Sequence, residues 1–376
     1  MKLIPKFAWL ILLFAAVVNS RAADWPMFRG SPSLQGVSKE KISTPLQLQW
    51  SFKTHGPVRS SAAIVGFNVV IGSGDSNVYC LSLNNGSSVW SFATGGPVDS
   101  SPLILDGNVF VGSEDGFLYS LSLKDGSLNW KHKTDDKIPG SPNWFANGTN
   151  RFIVFGSYDF KLHCVEALTG KQAWAIETGN YVNGSPAVDG GLTVFGGCDA
   201  ILHIVSLTNG TELRTAEAGA YVAASVALMD GKVYFGHYEN EFRCIDLTGT
   251  NVVWSYHNKD FPYFSSPALT KDRVVVGGRD KNIHCLNRLT GSNVWSFATH
   301  GKVDSSPAIC DGSKVVCGSD DGHLYVVDLE KGTESWSYDL GQAVDSSPAV
   351  SAGRVLVGCM DGSVYAFGPD TGKSAK

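Results

Sequence analysis

Apolar residues along this chain recur in short bursts of alternation, each closed by a turn dipeptide. The stretch 303–336 shows the unit: VDSSPAICDGSKVVCGSDDGHLYVVDLEKGTESW. It contains four runs of three to seven residues rich in Val, Ile, Leu, Tyr and Trp, separated by D-G, D-D-G and E-K-G. Alternation of this length predicts half-buried strands rather than helices, since no segment keeps a 3.6-residue period over ten positions. Asp-Gly and Asn-Gly supply the positive φ that tight hairpins need. The unit therefore predicts a four-stranded antiparallel sheet.

The unit repeats. The stretches 98–130 (VDSSPLILDGNVFVGSEDGFLYSLSLKDGSLNW) and 344–372 (VDSSPAVSAGRVLVGCMDGSVYAFGPDTG) align with it almost residue for residue. A glycine opening the second turn stands at Gly72, Gly112, Gly156, Gly196, Gly236, Gly277, Gly318 and Gly358, about every 40 residues. A tryptophan marks the last strand at Trp50, Trp90, Trp130, Trp174, Trp254, Trp295 and Trp336, and Arg214 takes the remaining slot. A period near 40 with four strands per unit is the signature of propeller blades. The expected fold is an all-β, eight-bladed β-propeller spanning 46–372. The eighth unit lacks a tryptophan strand, and the missing piece lies at the other end, around Trp50. The N-terminal strand is therefore expected to complete the last blade and remove a free sheet edge.

Composition refines this picture little. The 376 residues are 43% hydrophobic and 17% charged, with 42 glycines, which suits short strands and tight turns. A net charge of −5 offers no basic face for nucleic acid. Residues 1–23 read as a secretory signal peptide: Lys2 and Lys6, then an apolar run 7–18 too short to span a bilayer, then Ser20-Arg21-Ala22, with cleavage after Ala23 the near alternative. No transmembrane span is expected after cleavage. Residues 24–45 form a leader segment and 373–376 a short tail. Eight cysteines in an exported chain suggest disulfides. Cys80, Cys164, Cys244 and Cys285, however, share one repeat position with Ser120, Ile204, Val326 and Ala366, which points to a buried small-residue slot. Only Cys310 and Cys317, flanking one hairpin, are candidates for a bond, and no CxxC spacing occurs.

Residue types capable of chemistry mostly follow the repeat. Asp75, Asp115, Asp159, Asp199, Asp280, Asp321 and Asp361, with Glu239, hold one turn position, where a short carboxylate accepts backbone N–H groups. Each tryptophan is expected to dock on the neighbouring blade near its glycines. Arg214 reads as a degenerate blade, with an edge-binding role as the alternative. His163, His203 and His284 occupy the strand position that Tyr79, Tyr119, Tyr325 and Tyr365 hold elsewhere. No metal-ligand or nucleophile motif occurs, and no catalytic residue or metal site is assigned. What varies is the residue before the Ser-Ser pair at the start of each blade: Asp304, Asp345, Arg59, Asp99, Pro139, Asn183, Ala223 and Phe264 around the ring. Four consecutive blades carry charge there, while Tyr181, Tyr221 and Tyr263 stand near the uncharged arc. Such a two-sided channel rim is the candidate binding site, for a peptide or an amphipathic ligand.

These units resemble the PQQ repeat family, named for quinoprotein dehydrogenases whose propellers hold pyrroloquinoline quinone (PQQ). The resemblance rests on the "SSP…GxxDG…LY-L…G…W" pattern across 46–372 and includes BamB-like, non-enzymatic members of the outer-membrane assembly machinery. The opening DWPMFRGSPSLQGVS (24–38) is similar to the leader of many exported PQQ-like propellers. For the dehydrogenase branch the resemblance implies a calcium ion, a catalytic Asp and a vicinal disulfide. This chain has no Cys-Cys dipeptide and lacks long inserted loops. The expectation is a non-catalytic, monomeric scaffold, periplasmic or secreted, that binds a protein or peptide partner in the cell envelope without a cofactor. The alternatives are a PQQ- and calcium-dependent oxidoreductase, or a ligand- or carbohydrate-sensing propeller.

Overall fold

The repeat folds as one blade per unit. In the first, Ala63–Val65, Asn68–Ser73, Asn77–Ser82 and Ser88–Ala93 pair antiparallel in order, with Ala63, Val70, Cys80 and Trp90 in one cross-strand row. The computed structural model describes residues 23–370, and every regular element among them is a β-strand. They form eight sheets, here called blades 1 to 8. Their sequence spans are 63–93, 103–133, 143–177, 187–217, 227–257, 268–298, 308–339 and 349–368. Apart from Ala23, the signal-peptide reading lies outside the described residues, as do Gly372 and the tail.

Burial corrects one expectation. The two middle strands of each blade are buried on both faces, not half-buried: all but the first residue of Asn68–Ser73 is buried. Each blade packs a neighbour on either side, so its central strands carry near-continuous apolar runs. Only outer strands such as Ser88–Ala93 alternate between solvent and core. The shared cysteine slot lies within these runs, and Cys80, Cys164, Cys244 and Cys285 are fully buried. All eight cysteines are free thiols, Cys310 and Cys317 included.

The tryptophans hold the blades together. Trp90 Nε1 donates to Leu123 O of the next blade at 2.9 Å, and its ring lies over Gly126, where a Cβ would come within 2.7 Å. Gly126 has φ +74, so a side chain there would meet both strain and the indole. The same contact joins Trp50 to Leu83 and Gly86, Trp174 to Leu207 and Gly210, and Trp295 to Leu329 and Gly332. Arg214 corrects the degenerate-blade reading. Its strand, Glu212–Glu217, pairs with Ile201–Ser206 as its counterparts do, and Thr250, at φ 56, stands at the repeat position of the docked glycines. Where the indole is missing, a side chain takes the glycine's place, although the backbone there keeps a positive φ.

Closure occurs as the repeat count predicts. Gln47–Lys53 pairs antiparallel with Ser363–Gly368, placing Trp50 opposite Ala366. Around the channel, the serine two residues before each inner strand donates its N–H to the hydroxyl of its counterpart in the next blade. The belt runs from Ser61 to Ser101 and onward, until Ser347 returns to Ser61 at 3.0 Å.

The leader is not a free arm. It passes the far ends of the inner strands in blade order and accepts backbone N–H groups from Ile64, Ile104, Val188, Leu228, Leu269 and Ile309. Val37–Ser38 then adds a parallel fifth strand to blade 7, and Glu40 caps Gly353 of blade 8. These donors lie on the unpaired edge of each inner strand and would otherwise be orphaned. The segment closes one end of the channel.

Candidate functional site

Since the leader seals one end, the channel opens at the other, where the inner strands begin. It is a well of about 180 Å³. Phe28 of the leader and the serine belt line it, with Arg59, Asp99, Asn183 and Phe264 above. Beneath Phe28, Arg29 is fully buried. Its guanidinium donates to the carbonyls of Ser306, Pro267 and Pro307 at 3.0, 3.0 and 2.5 Å. Burial lowers its pKa to about 9, so it stays charged at neutral pH. Gly36 permits this, because a Cβ there would lie 1.9 Å from the guanidinium.

The mouth consists of three concentric rings. The rim residue of each blade is the innermost. Two residues earlier in the chain lies a second position, whose carbonyl accepts the N–H of a third position in the following turn. These bonds run from Tyr158 to Lys137, Cys198 to Tyr181, Tyr238 to Tyr221, Arg279 to Pro262, Asp320 to Lys302 and Met360 to Ala343, at 2.9–3.2 Å. Rim variation thus continues outward. Blades 3 to 5 present Tyr158, Tyr181, Tyr221 and Tyr238, and blades 6 and 7 present Arg279, Lys302 and Asp320. The third ring was legible in the repeat alignment, as the column before the turn aspartate, but the rim column alone did not show it.

On one arc the charges form a chain. Arg279 holds Asp304 through Nε and Nη2 at 2.9 and 2.7 Å. Lys302 lies 3.1 Å from Asp304 and 3.3 Å from Asp320. Asp320 meets Asp345, whose carboxyl is pushed up to about 6 by burial, by its hydrogen bond to Asp320 and by the charges of Asp320 and Asp304. Arg59 reaches Asp345 at 3.9 Å and Asp99 at 3.5 Å.

On the other arc the aromatic rings touch. Tyr181 stacks on Tyr158 at 4.4 Å and meets Phe160 at 5.1 Å, and Tyr238 meets Phe264 at 4.8 Å and Tyr221 at 6.5 Å. Arg279 lies over Phe264 at 3.7 Å and joins the two arcs. Asn183 Nδ2 donates to Cys198 Sγ at 2.9 Å.

Tyr263 does not belong to the mouth and is only 2% exposed. The connection entering blade 6 is one residue longer than its counterparts, His257 to Tyr263 against Glu217 to Val222. Tyr263 therefore takes the core slot of Val222, against Gly236 and His284, and Pro262 takes the slot of Tyr221.

The turn aspartates are braces. Asp75 accepts from His55 N, Asn77 N and Tyr79 Oη at 2.9, 3.0 and 2.8 Å, tying its turn to the incoming connection. Burial disfavours its charge, yet these bonds hold its carboxyl below the ordinary value. His163, His203 and His284 bond Asp159, Asp199 and Asp280 just as the tyrosines do elsewhere. In blade 5 both partners change together, to Glu239 and Arg243, and Arg243 pairs with Glu241 instead. Repeated in this way, the His–Asp pairs are structural.

Comparison with known proteins places the chain. A family model described as outer membrane protein assembly factor BamB matches residues 46–143, 140–257 and 263–375. No curated protein sequence matches the chain. Among solved structures, BamB from Moraxella catarrhalis aligns with a TM-score of 0.69 at 17% identity, covering 88% of this chain and 99% of that one. The quinohemoprotein alcohol dehydrogenase from Comamonas testosteroni aligns at 0.79 and 13%, covering 94% and 82%. The computationally designed Ika8 protein aligns at 0.75 and 18%, covering 86% and 100%. At such identities these likenesses are of fold alone, whereas the family model spans nearly every blade, and the protein is therefore a member of the outer membrane protein assembly factor BamB family, folded as an eight-bladed β-propeller of PQQ-type repeats.

Proposed function

We propose that this protein is a non-catalytic binding propeller of the cell envelope, periplasmic or secreted, that docks a segment of a protein partner on its open mouth. The single observation that carries this reading is the mouth itself: an aromatic arc facing a charged arc over a well closed from behind. Tyr221 and Tyr238 are each 51% exposed, and interface hot spots favour such side chains. A rigid ring suits presentation of a fixed surface rather than closure around a substrate.

The residues present do not fit a PQQ–calcium seat. Calcium takes six to eight oxygens, yet among the described residues no three His, Cys, Asp or Glu side chains are placed to share an ion. Asp304 is already engaged by Arg279 and Lys302. No two cysteines are adjacent in the chain, so the vicinal disulfide of the dehydrogenase branch has no counterpart.

The test places a photo-crosslinking benzoylphenylalanine at Tyr221 in the exported protein. Phe67, 68% exposed beside the sealed end, serves as control. Discrete adducts with envelope proteins are expected from position 221 and none from position 67. Equal labelling at both positions, or none at either, rejects docking at the mouth.

A further inference from the structure

The buried atoms without hydrogen-bond partners are distributed unevenly. Every buried carboxylate or amide oxygen that no N–H or hydroxyl reaches among the described residues lies at the mouth: Asp99 Oδ1, Asn183 Oδ1, Asp320 Oδ1 and Asp345 Oδ1. Elsewhere on this face the turn aspartates are bonded to three or four donors each, as Asp321 and Asp75 show. The deficit therefore belongs to the mouth and not to the face as a whole.

The mouth's own cations do not fill it. Arg279 is committed to Asp304 through two bonds, and Lys302 is shared between Asp304 and Asp320. Arg59 stands 3.5 and 3.9 Å from Asp99 and Asp345, too far for good hydrogen bonds to either. Asp99, Asp304, Asp320 and Asp345 thus face three cations. Asp320 and Asp345, side by side, have between them more acceptors than donors. An entering cation supplies both a donor and the missing positive charge, whereas an anion meets repulsion and a neutral donor leaves the repulsion between the two carboxylates in place.

We propose, building on the docking reading, that the partner segment carries a lysine or arginine side chain that enters beside Asp345 and Asp320, with apolar or aromatic neighbours lying on the Tyr181–Tyr221–Tyr238 arc. A planar guanidinium can bridge two carboxylates at once. Below it, each belt serine accepts one N–H and keeps its own proton to offer a main-chain carbonyl of the segment. Binding is linked to pH. Asp345 faces Asp320, Asp304, Lys302 and Arg59, and its carboxyl holds a proton below about pH 6. A cation must displace that proton, so binding strengthens as pH rises from 5 to 7.

The test pans a random dodecapeptide phage library on the full protein and on a Tyr221→Ala/Tyr238→Ala variant. Clones retained by the first and lost by the second define mouth binders. These are expected to be enriched in Lys or Arg next to aromatic residues. As synthetic peptides they should bind at least tenfold more weakly to an Asp320→Asn/Asp345→Asn variant that melts no lower than the wild type, and more weakly at pH 5 than at pH 7. Mouth binders without basic enrichment, or indifferent to the double amide variant, overturn the cationic partner and leave docking intact. The absence of any mouth-dependent clone overturns docking itself.

Discussion

Single residues at the mouth carry signals that oppose those of the blades. Asp75, Asp321 and Asp361 have carboxyls held below their ordinary values, so their contribution is present above the unfolded carboxylate range near pH 4 and is lost in stronger acid. Asp345 has the reverse sign. With its folded value at about 6 and its unfolded value near 4, the native state binds the extra proton, so stability falls as pH rises between them. Urea midpoints measured from pH 4 to 7 should show this fall in the wild type, and Asp345→Asn should remove it while leaving the acid limb below pH 4. A variant that retains the fall assigns it to another group. The turn aspartates were readable from sequence because position and residue type repeat. The Asp320–Asp345 pair was not, because its members come from different columns of different blades.

Among the elements, the leader departs furthest from what its sequence announced. DWPMFRG reads as a recurring opening without a role, yet each residue has a place. Trp25 bridges to Ile64, Pro26 accepts from Ile104, Phe28 floors the well, and Arg29 reaches blades 6 and 7. Arg29→Ala should leave three carbonyls without their donor and lower stability by about 1.5–3 kcal/mol, the range for hydrogen bonds to a charged group. The readout is a urea unfolding curve, and a change below about 0.5 kcal/mol, the ordinary scatter of surface substitutions, refutes a structural role. The aromatic ladder is legible at this scale too: Tyr181 and Tyr221 fall in one column, whereas a one-residue insertion moves Tyr263 out of it into the core.

In the whole molecule, closure by Gln47–Lys53 gives the ring its unbroken set of interfaces. Trp50 lies on Gly86 of blade 1 and bonds Leu83 O, so this strand also carries the seam between the last blade and the first. Deleting the leader and this strand together leaves Ser363–Gly368 with an unpaired edge and exposes the core beside Val58 and Val364. Such an edge invites pairing between chains. The truncated protein should elute from size exclusion as oligomers or aggregate, and a monodisperse, folded monomer would show that closure is dispensable.

The sequence by itself determined the number of blades, the strand order within each, the closing strand and the docking of the tryptophans, because all of these rest on local periodicity and on turn chemistry repeated eight times. It also located the rim, since Arg59, Asp99, Asn183, Asp304, Asp345 and Phe264 vary where their neighbours do not. Only the tertiary structure decided which end of the channel is open, that Tyr263 is core, that the blade of Arg214 keeps its four strands, and which carboxylates lack donors. These depend on contacts between residues 40 to almost 300 positions apart, such as Ser61 with Ser101 and Arg29 with Ser306, and a repeat pattern holds no record of how its copies face one another across a ring.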